Sequence, residues 1–134
     1  MNWINAKPID SMIIDIEIET RLAISLPIDF KDFISEYNAA ALRNGYIDIE
    51  RIGKVPYTRN VNLASNAKVK IDTLLKAVNE EGIRYFPIGG VGNGDYFCID
   101  LVDEAVVLFS HETGEYILAA RSFEEFISDL KDLD

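Results

Sequence analysis

The chain has 134 residues, 49% of them hydrophobic and 27% charged, which is enough apolar content for one folded core and too much for a disordered chain. Its 13 basic and 23 acidic side chains give a net charge of −10, and this charge opposes direct binding to the phosphates of a nucleic acid. The longest apolar runs contain five residues, far short of the roughly 20 that a membrane span needs, so we expect no integral membrane protein.

The first half of the chain predicts two helices and a strand. Residues 10–24 alternate isoleucine with acidic residues as a strand would, but isoleucines also recur at helical spacing over a long stretch without a turn residue, which favours a helix. Pro27 suits the first turn of a second helix that ends near Asn38. Residues 46–52 alternate as a half-buried strand, and residues 53–65 are expected to form an irregular loop.

The second half predicts a helix, a strand meander and a last helix. Asn66 is a candidate cap for the middle helix, and Gly82 occupies the position expected of its C-terminal cap. Short connections then join four predicted strands into an antiparallel meander: Ile83 to Ile88, Asp95 to Leu101, Ala105 to Ser110 and Glu115 to Ala120. Ser122 and Glu125 form a capping box for the final helix. We therefore expect an α+β fold, with N-terminal, middle and C-terminal helices packed on one meander sheet in a single domain over residues 1–134.

The charge is unevenly distributed along the chain. Residues 1–50 carry 4 basic and 9 acidic side chains, residues 51–84 carry 7 and 3, and residues 95–134 carry 2 and 11. This pattern is compatible with a simple solvated surface or with an acidic face that attracts a basic partner. The single cysteine and the absence of a signal-peptide pattern favour a cytoplasmic protein.

The sequence contains few candidates for catalysis or metal binding. His111 is the only histidine, and a nucleophile for it would have to be Ser110 or Cys98, neither of which stands in a catalytic motif. A structural role at a hairpin end suits His111 better, and Cys98 reads as a small hydrophobic residue of the sheet. Scattered carboxylates at the ends of the strands offer oxygen ligands but no regular metal spacing: Asp95, Asp100, Asp103, Glu104 and Glu112. We expect that the protein binds no metal or cofactor and that it is not an enzyme.

The glycine-rich stretch from Gly89 to Asp95 is the most distinctive segment. It contains neither a dinucleotide-binding nor a Walker motif, and a strand follows it where a phosphate-binding loop would require a helix. Glycines at this density indicate positive backbone angles or close approach of the main chain. Two interpretations remain open: a tight bend between strands, or an exposed main-chain surface that contacts a ligand or partner.

This stretch and the strand after it, Phe86 to Leu101, closely resemble the central motif of the SUKH superfamily, which includes yeast Smi/Knr cell-wall regulators and many bacterial immunity proteins. Three further segments are similar in the same order: Leu26 to Asn38, Val106 to Glu112 and Ala119 to Ile127. Two features depart from the family pattern. Ala39 and Ala40 replace the usual glycines after Asn38, so we expect the helix to continue through Leu42, and Ser110 stands where an Asp is common.

The resemblance implies a non-catalytic α+β protein that neutralises a toxin by direct binding. Such toxins are often nucleases with basic surfaces, and a basic surface attracts an acidic protein. The predicted contact residues, chosen from the loop and the nearby strand ends, are Gly90, Gly92, Gly94, Asp95, Tyr96, Asp100, His111 and Glu112. A regulatory or scaffold module is the second hypothesis, and a hydrolase that uses His111 is the third.

Overall fold

The computed structural model describes residues 1–132, which form an α+β structure with two antiparallel sheets. The strands in this range are β1 (Gly45–Ile49), β2 (Gly53–Pro56), β3 (Arg59–Asn60), β4 (Tyr85–Gly90), β5 (Tyr96–Asp100), β6 (Val106–Phe109), β7 (Tyr116–Ala120) and β8 (Lys131–Asp132). The helical segments are α1 (Ser11–Ile13), a π-helix (Ile14–Thr20), α2 (Ile28–Tyr37), α3 (Ile71–Val78) and α4 (Phe123–Asp129). The predicted α+β class is confirmed.

The larger sheet contains the predicted meander. Its strand order is β3-β4-β5-β6-β7, and every neighbouring pair is antiparallel. Alternate residues face a core that α2 and α4 cover, where Phe97 packs against Phe126 with ring centroids 5.2 Å apart and Phe30 packs against Phe86 at 6.1 Å. The other face of the sheet carries a smaller cluster around Cys98, which α3 covers in part through Val78.

A second, three-stranded sheet of order β2-β1-β8 corrects the prediction of a single sheet. The predicted strand at residues 46–52 is β1, but residues 53–65 are not an irregular loop, since they contain β2 and β3. Both strands are too short to show an alternating pattern, and both are fixed by their neighbours: β2 pairs with β1, and Arg59 and Asn60 pair with Gly90 and Gly89. β3 therefore becomes a strand only through long-range pairing, whereas β2 is the second strand of a hairpin with β1.

The helix predicted over residues 10–24 is confirmed, although most of it is a π-helix. Ile14 and Ile18 are buried whereas Ile16 is 56% exposed, but a strand would have placed all three on the same face. Lys31 of α2 contacts the carboxylates of both Asp15 and Glu19 at 2.6 Å, so two acidic residues four positions apart join the helices. Helical spacing therefore buries Ile14 and Ile18 and at the same time places Asp15 and Glu19 within reach of Lys31.

The expectation that α2 continues through Leu42 is wrong, because α2 ends at Tyr37. Asn38 is fully buried, and its amide donates to the Lys7 carbonyl at 3.1 Å while its oxygen accepts from the Leu63 N–H at 2.8 Å. These bonds to distant segments require the chain to leave the helix. Ala39 then adopts a φ of +61°, the conformation that glycine would take more easily.

The predicted caps of the middle helix are also wrong, whereas the last cap is confirmed. α3 begins at Ile71 without a side-chain cap, so Asn66 lies outside it. At the other end Asn79, and not Gly82, is the cap: its amide donates to the Leu75 carbonyl, and its oxygen accepts the N–H groups of two residues that lead into β4. At α4, the Ser122 hydroxyl accepts from the Glu125 N–H at 3.1 Å, as predicted.

Candidate protein-binding site

The glycine-rich loop and the β6–β7 turn meet at one end of the larger sheet. Asp95 joins them, since one of its carboxylate oxygens accepts the backbone N–H of His111 at 3.0 Å and lies 2.5 Å from Nδ1 of the same ring. Gly94 makes room for this contact, because a Cβ on it would lie 3.1 Å from the imidazole. The structure thus brings three residues of the predicted contact set together: Gly94, Asp95 and His111.

The conformation of the loop explains its glycines. Gly92 and Gly94 have φ values of +105° and +100°, a region that other residues rarely adopt. The Asn93 side chain accepts the N–H of Asp95, and Val91 donates to the Asp95 carbonyl, so the loop is closed on itself. Residues 92–94 are exposed, and their backbone N–H groups form no hydrogen bond within the described residues.

Close approach of the main chain, the other predicted reason for glycine, occurs at Gly89. A Cβ there would overlap the ring of Tyr57, which is fully buried and donates its hydroxyl to Asn60 at 2.6 Å. Burial raises the pKa of Tyr57, so this hydroxyl keeps its proton at physiological pH. Gly89 therefore serves the core, while Gly92 and Gly94 shape the exposed loop.

A row of aromatic side chains crosses the sheet beside the loop. Tyr96 is paired with Phe109 across β5 and β6, and Phe109 is paired with Tyr116 across β6 and β7, with ring centroids 5.1 Å apart. Tyr116 also stacks on Tyr85 at 3.8 Å and donates its hydroxyl to the Val78 carbonyl. The three tyrosines are half-buried, so packing fixes rings that still reach the surface. We name Tyr85, Tyr96, Phe109 and Tyr116 the aromatic row.

Two residues of the predicted contact set, Glu112 and Asp100, are not among those that Asp95 brings together. Glu112 is exposed in the turn beside His111 and is free to contact a partner. Asp100 lies at the opposite end of β5, about 16 Å from Asp95 at the usual rise of a strand. It is buried and bound by Arg84 at 3.0 Å, so its first role is structural.

The charge state of Asp100 follows from opposing influences. Burial raises its pKa, but the hydrogen bond from Arg84 and the N–H of Val102 outweigh burial and hold the pKa below its ordinary value. Asp100 is therefore a carboxylate at neutral pH. Together with the exposed Asp103 and Glu104 in the following turn, it makes the far end of the aromatic row acidic as well.

The contacts of Cys98 and His111 do not join them as a nucleophile and a base. Cys98 is buried, burial raises the pKa of its thiol, and its only hydrogen-bond partner among the described residues is the carbonyl of Tyr96. The His111 ring is engaged by Asp95. Over residues 1–132 no group of three or more His, Cys, Asp or Glu side chains is arranged to hold a metal ion. No helix in that range is long and apolar enough to cross a membrane.

A basic groove on the other side of the loop was not predicted. It encloses about 1160 Å³, and five of the predicted residues line it: Gly90, Gly92, Gly94, Asp95 and Tyr96. Lys7, Arg59 and Lys68 line it as well, and none of them forms an ion pair with another described residue. The basic segment 51–84 was the available signal for two of these cations. Lys7 reaches the groove because its N–H donates to the Asn38 carbonyl, which the sequence does not reveal.

Comparison with known proteins agrees with this fold. A family model described as SMI1-KNR4 cell-wall, of the SUKH group, matches residues 15–127. The chain is also 27% identical, over 139 aligned positions, to the SPbeta prophage-derived uncharacterized protein YokK of Bacillus subtilis (strain 168). That alignment covers 87% of this chain and 72% of the relative.

Proposed function

Because the chain belongs to the SMI1-KNR4 family of the SUKH group, whose members are often immunity proteins of toxin systems, we propose that it binds and neutralises a cognate bacterial toxin. The toxin carries a basic nuclease domain, and the chain covers its active or substrate-binding surface. The protein acts in the cytoplasm without catalysis, metal or direct contact with nucleic acid, and residues 1–134 form one SUKH-like domain.

The observation that supports this proposal most is the aromatic row with carboxylates at both ends. Protein interfaces concentrate their binding energy in rigid aromatic side chains surrounded by polar groups. Tyr85 and Tyr116 are already stacked, so their rings lose little freedom on binding. Carboxylates in the turns at the two ends would meet the Lys and Arg side chains with which a nuclease holds phosphate.

The loop beside the row supplies a second kind of contact. The free N–H groups of residues 92–94 can donate to carbonyl or carboxylate oxygens of a partner. Asp95 and His111 hold the loop against the β6–β7 turn, so these donors are oriented before the partner arrives. Glu112 stands next to them as an exposed charge.

The test combines the purified chain with the toxic domain encoded beside its gene. We expect a stable complex that abolishes nuclease activity and forms more slowly as salt is raised. Tyr96→Ala should weaken the complex by about 30-fold, as truncation of an aromatic contact centre does. Tyr46→Ala is the matched control: this tyrosine is also half-buried but lies on the three-stranded sheet under Lys54.

Two results would contradict the proposal. One is a toxic domain that stays active and unbound at saturating protein. The other is equal loss of affinity for Tyr96→Ala and Tyr46→Ala, which would exclude the aromatic row as the contact. A neighbouring gene that encodes no toxin would favour the regulatory or scaffold module.

A further inference from the structure

The basic groove has a charge opposite to that of the whole chain. The chain carries a net charge of −10, yet three cations line the groove and Asp95 is the one carboxylate among the described residues that line it. His111 already engages that carboxylate. Lys7, Arg59 and Lys68 are exposed, and none of them has an ion-pair partner among the described residues. The three cations are therefore available to an anionic ligand.

Gly90 lies between Arg59 and Tyr96 in this groove. Gly90 pairs with Arg59 across β3 and β4 and with Tyr96 across β4 and β5, so the Cα atoms of Arg59 and Tyr96 are about 10 Å apart. The φ of Gly90 is not positive, and a Cβ on it would meet the Tyr96 ring at 3.5 Å, an ordinary van der Waals contact. Neither the backbone nor the packing requires glycine here. A glycine inside a strand is typical of a place where a ligand or another main chain approaches closely.

The other side chains of the groove suit a peptide better than an inorganic anion. Asn5 and Asn66 are exposed and have no hydrogen-bond partner among the described residues. A side-chain amide both donates and accepts, and so does the main chain of a peptide, whereas an inorganic phosphate is chiefly an acceptor. Val69 is 52% exposed, and the half-buried Ile9 and Leu74 add apolar surface that only a ligand with apolar groups would cover.

The size of the groove and the net charge of the chain narrow the choice further. The groove encloses about 1160 Å³, whereas pockets for small molecules enclose roughly 300–1,000 Å³. Its volume therefore favours an extended ligand. A long polyanion such as a nucleic acid is repelled by the net charge of −10. A short acidic segment interacts mainly with the charges within about 10 Å, where the cations of the groove predominate.

We propose that the basic groove binds an extended acidic segment of a second protein, in which carboxylates alternate with apolar side chains. The carboxylates pair with Lys7, Arg59 and Lys68, and the apolar side chains contact Val69. The main chain of the segment crosses Gly90 and accepts hydrogen bonds from the N–H groups of residues 92–94. Because exposed ion pairs contribute little each, we expect a Kd of about 100 µM at low salt. This partner is acidic where the proposed toxin is basic, so the inference does not rest on the toxin.

Three synthetic peptides of eight residues test the class of ligand on the full chain without the toxic domain. The first alternates glutamate with valine, the second replaces valine with serine, and the third replaces glutamate with lysine. Fluorescence anisotropy at low salt should detect binding of the first peptide and none of the third. The second should bind at least about fivefold more weakly, because it lacks the apolar contacts. A single-stranded DNA of eight nucleotides should bind more weakly than the first peptide.

Charge reversal locates the bound peptide. Arg59→Glu and Lys68→Glu should each weaken binding of the glutamate-valine peptide at least about tenfold. Arg51→Glu is the matched control: Arg51 is exposed and changes the net charge equally, but it does not line the groove and should weaken binding about twofold at most. Gly90→Val, which places a side chain between Arg59 and Tyr96, should weaken binding about tenfold without a change of charge.

Four results would overturn the proposal. The glutamate-valine peptide could fail to bind, or the glutamate-serine peptide could bind equally well, which would mean that charge alone is recognised. Tighter binding of the DNA would identify a nucleic-acid site. Equal losses for Arg59→Glu, Lys68→Glu and Arg51→Glu would place the peptide elsewhere. Circular dichroism checks the fold of each variant, and if Arg59→Glu in β3 does not fold, Lys68→Glu in the loop before α3 is compared with Arg51→Glu.

Discussion

The aromatic row and the basic groove lie on either side of the glycine-rich loop and share Tyr96, but they present opposite charges. Carboxylates of residues 95, 100, 103, 104 and 112 stand at the two ends of the row. Lys7, Arg59 and Lys68 line the groove, where Asp95 is the one carboxylate among the residues that the structure describes. A basic partner is attracted to one region and repelled by the other. The uneven charge along the sequence therefore becomes an orientation signal for the partner of the proposed function: it favours the approach of a basic toxin to the aromatic row.

Gly94 lies at the boundary between the two regions, and its replacement should have the largest effect on the free energy of unfolding. Gly94→Ala forces a side chain into a φ of +100° and against His111, so we expect a loss of about 3 kcal/mol in the free energy of unfolding. Gly114→Ala is the matched control, because Gly114 has a φ of +75° and open space around its Cβ, and it should lose about 1 kcal/mol. Urea unfolding measures both.

Equal losses in the free energy of unfolding for these two glycine variants would mean that crowding against His111 adds nothing to the cost of a positive φ. In that case the loop and the turn would be held together by Asp95 alone. A Gly94→Ala variant that unfolds completely can be compared instead with Gly92→Ala, whose Cβ would meet only the methyl group of Thr58 at 3.4 Å.

Asp100, at the far end of the aromatic row, should have the next largest effect. Asp100→Asn removes the carboxylate that Arg84 binds, and a part-buried hydrogen bond to a charged group contributes about 1.5 kcal/mol. The pKa of Asp100 is lower in the folded chain than in the unfolded one. This carboxylate therefore contributes its full stability above the unfolded pKa of about 3.9, and the contribution is lost as pH falls through the folded pKa.

Urea unfolding of the natural chain and Asp100→Asn between neutral pH and about pH 2.5 checks this expectation. The difference between the two proteins should be largest at pH 7 and should shrink below about pH 4. Asp48→Asn is the control: its ion pair with Lys131 is more than half exposed on both sides and should contribute less than about 0.5 kcal/mol at any pH. A difference that does not change with pH would contradict the charged state of Asp100.

Charge reversal on the two sides of the loop tests the orientation signal itself. Glu112→Lys should slow association with the toxic domain about tenfold at low salt, because it reverses a charge beside the predicted contact. Glu36→Lys, on the exposed side of α2, changes the net charge equally and should slow association about twofold at most. Lys68→Glu in the groove should leave the rate nearly unchanged or raise it slightly.

Stopped-flow association at several salt concentrations separates these variants. If Glu112→Lys and Glu36→Lys slow the reaction equally, only the net charge matters and the acidic ends of the aromatic row are not the approach surface. If Lys68→Glu slows the reaction most, the partner enters the basic groove, and the proposed orientation is reversed.

How much of this was predictable depends on whether neighbouring residues or distant ones decide the structure. Long periodic segments such as β4 to β7 and α2 are set by local patterns, and the resemblance correctly indicated the family, which the match over residues 15–127 shows. Asp95 and His111 both belong to the predicted contact set, and the structure brings them together because β5 and β6 are adjacent antiparallel strands. β3 was missed because its two residues become a strand only through pairing with the distant Gly90 and Gly89. β2 was missed although its partner is the preceding strand, because Gly53 and Pro56 interrupt any alternating pattern.

The candidate site was also predictable only where neighbouring residues decide it. The loop glycines stand out in the sequence, but the choice of Asp100 failed to anticipate that β5 carries it to the opposite end of the sheet. The aromatic row was only partly found, through Tyr96, because stacking of Tyr85 on Tyr116 crosses strands that are not neighbours. The groove needs Lys7 and Arg59 side by side, and no local pattern links residues 52 positions apart.

Replacement of Ala39, which lines the groove, should have the smallest effect on the free energy of unfolding, and it should stabilise the chain where the other substitutions destabilise it. Its φ of +61° is costly for alanine by roughly 1 kcal/mol, while glycine pays more entropy on folding and gives up a buried methyl group. We expect Ala39→Gly to stabilise the chain by about 0.5 kcal/mol in urea unfolding. Ala40→Gly is the control, since Ala40 is fully buried without a positive φ and should lose about 1 kcal/mol. Destabilisation by both substitutions would show that packing of the Ala39 methyl group outweighs backbone strain, and that the turn after α2 prefers alanine.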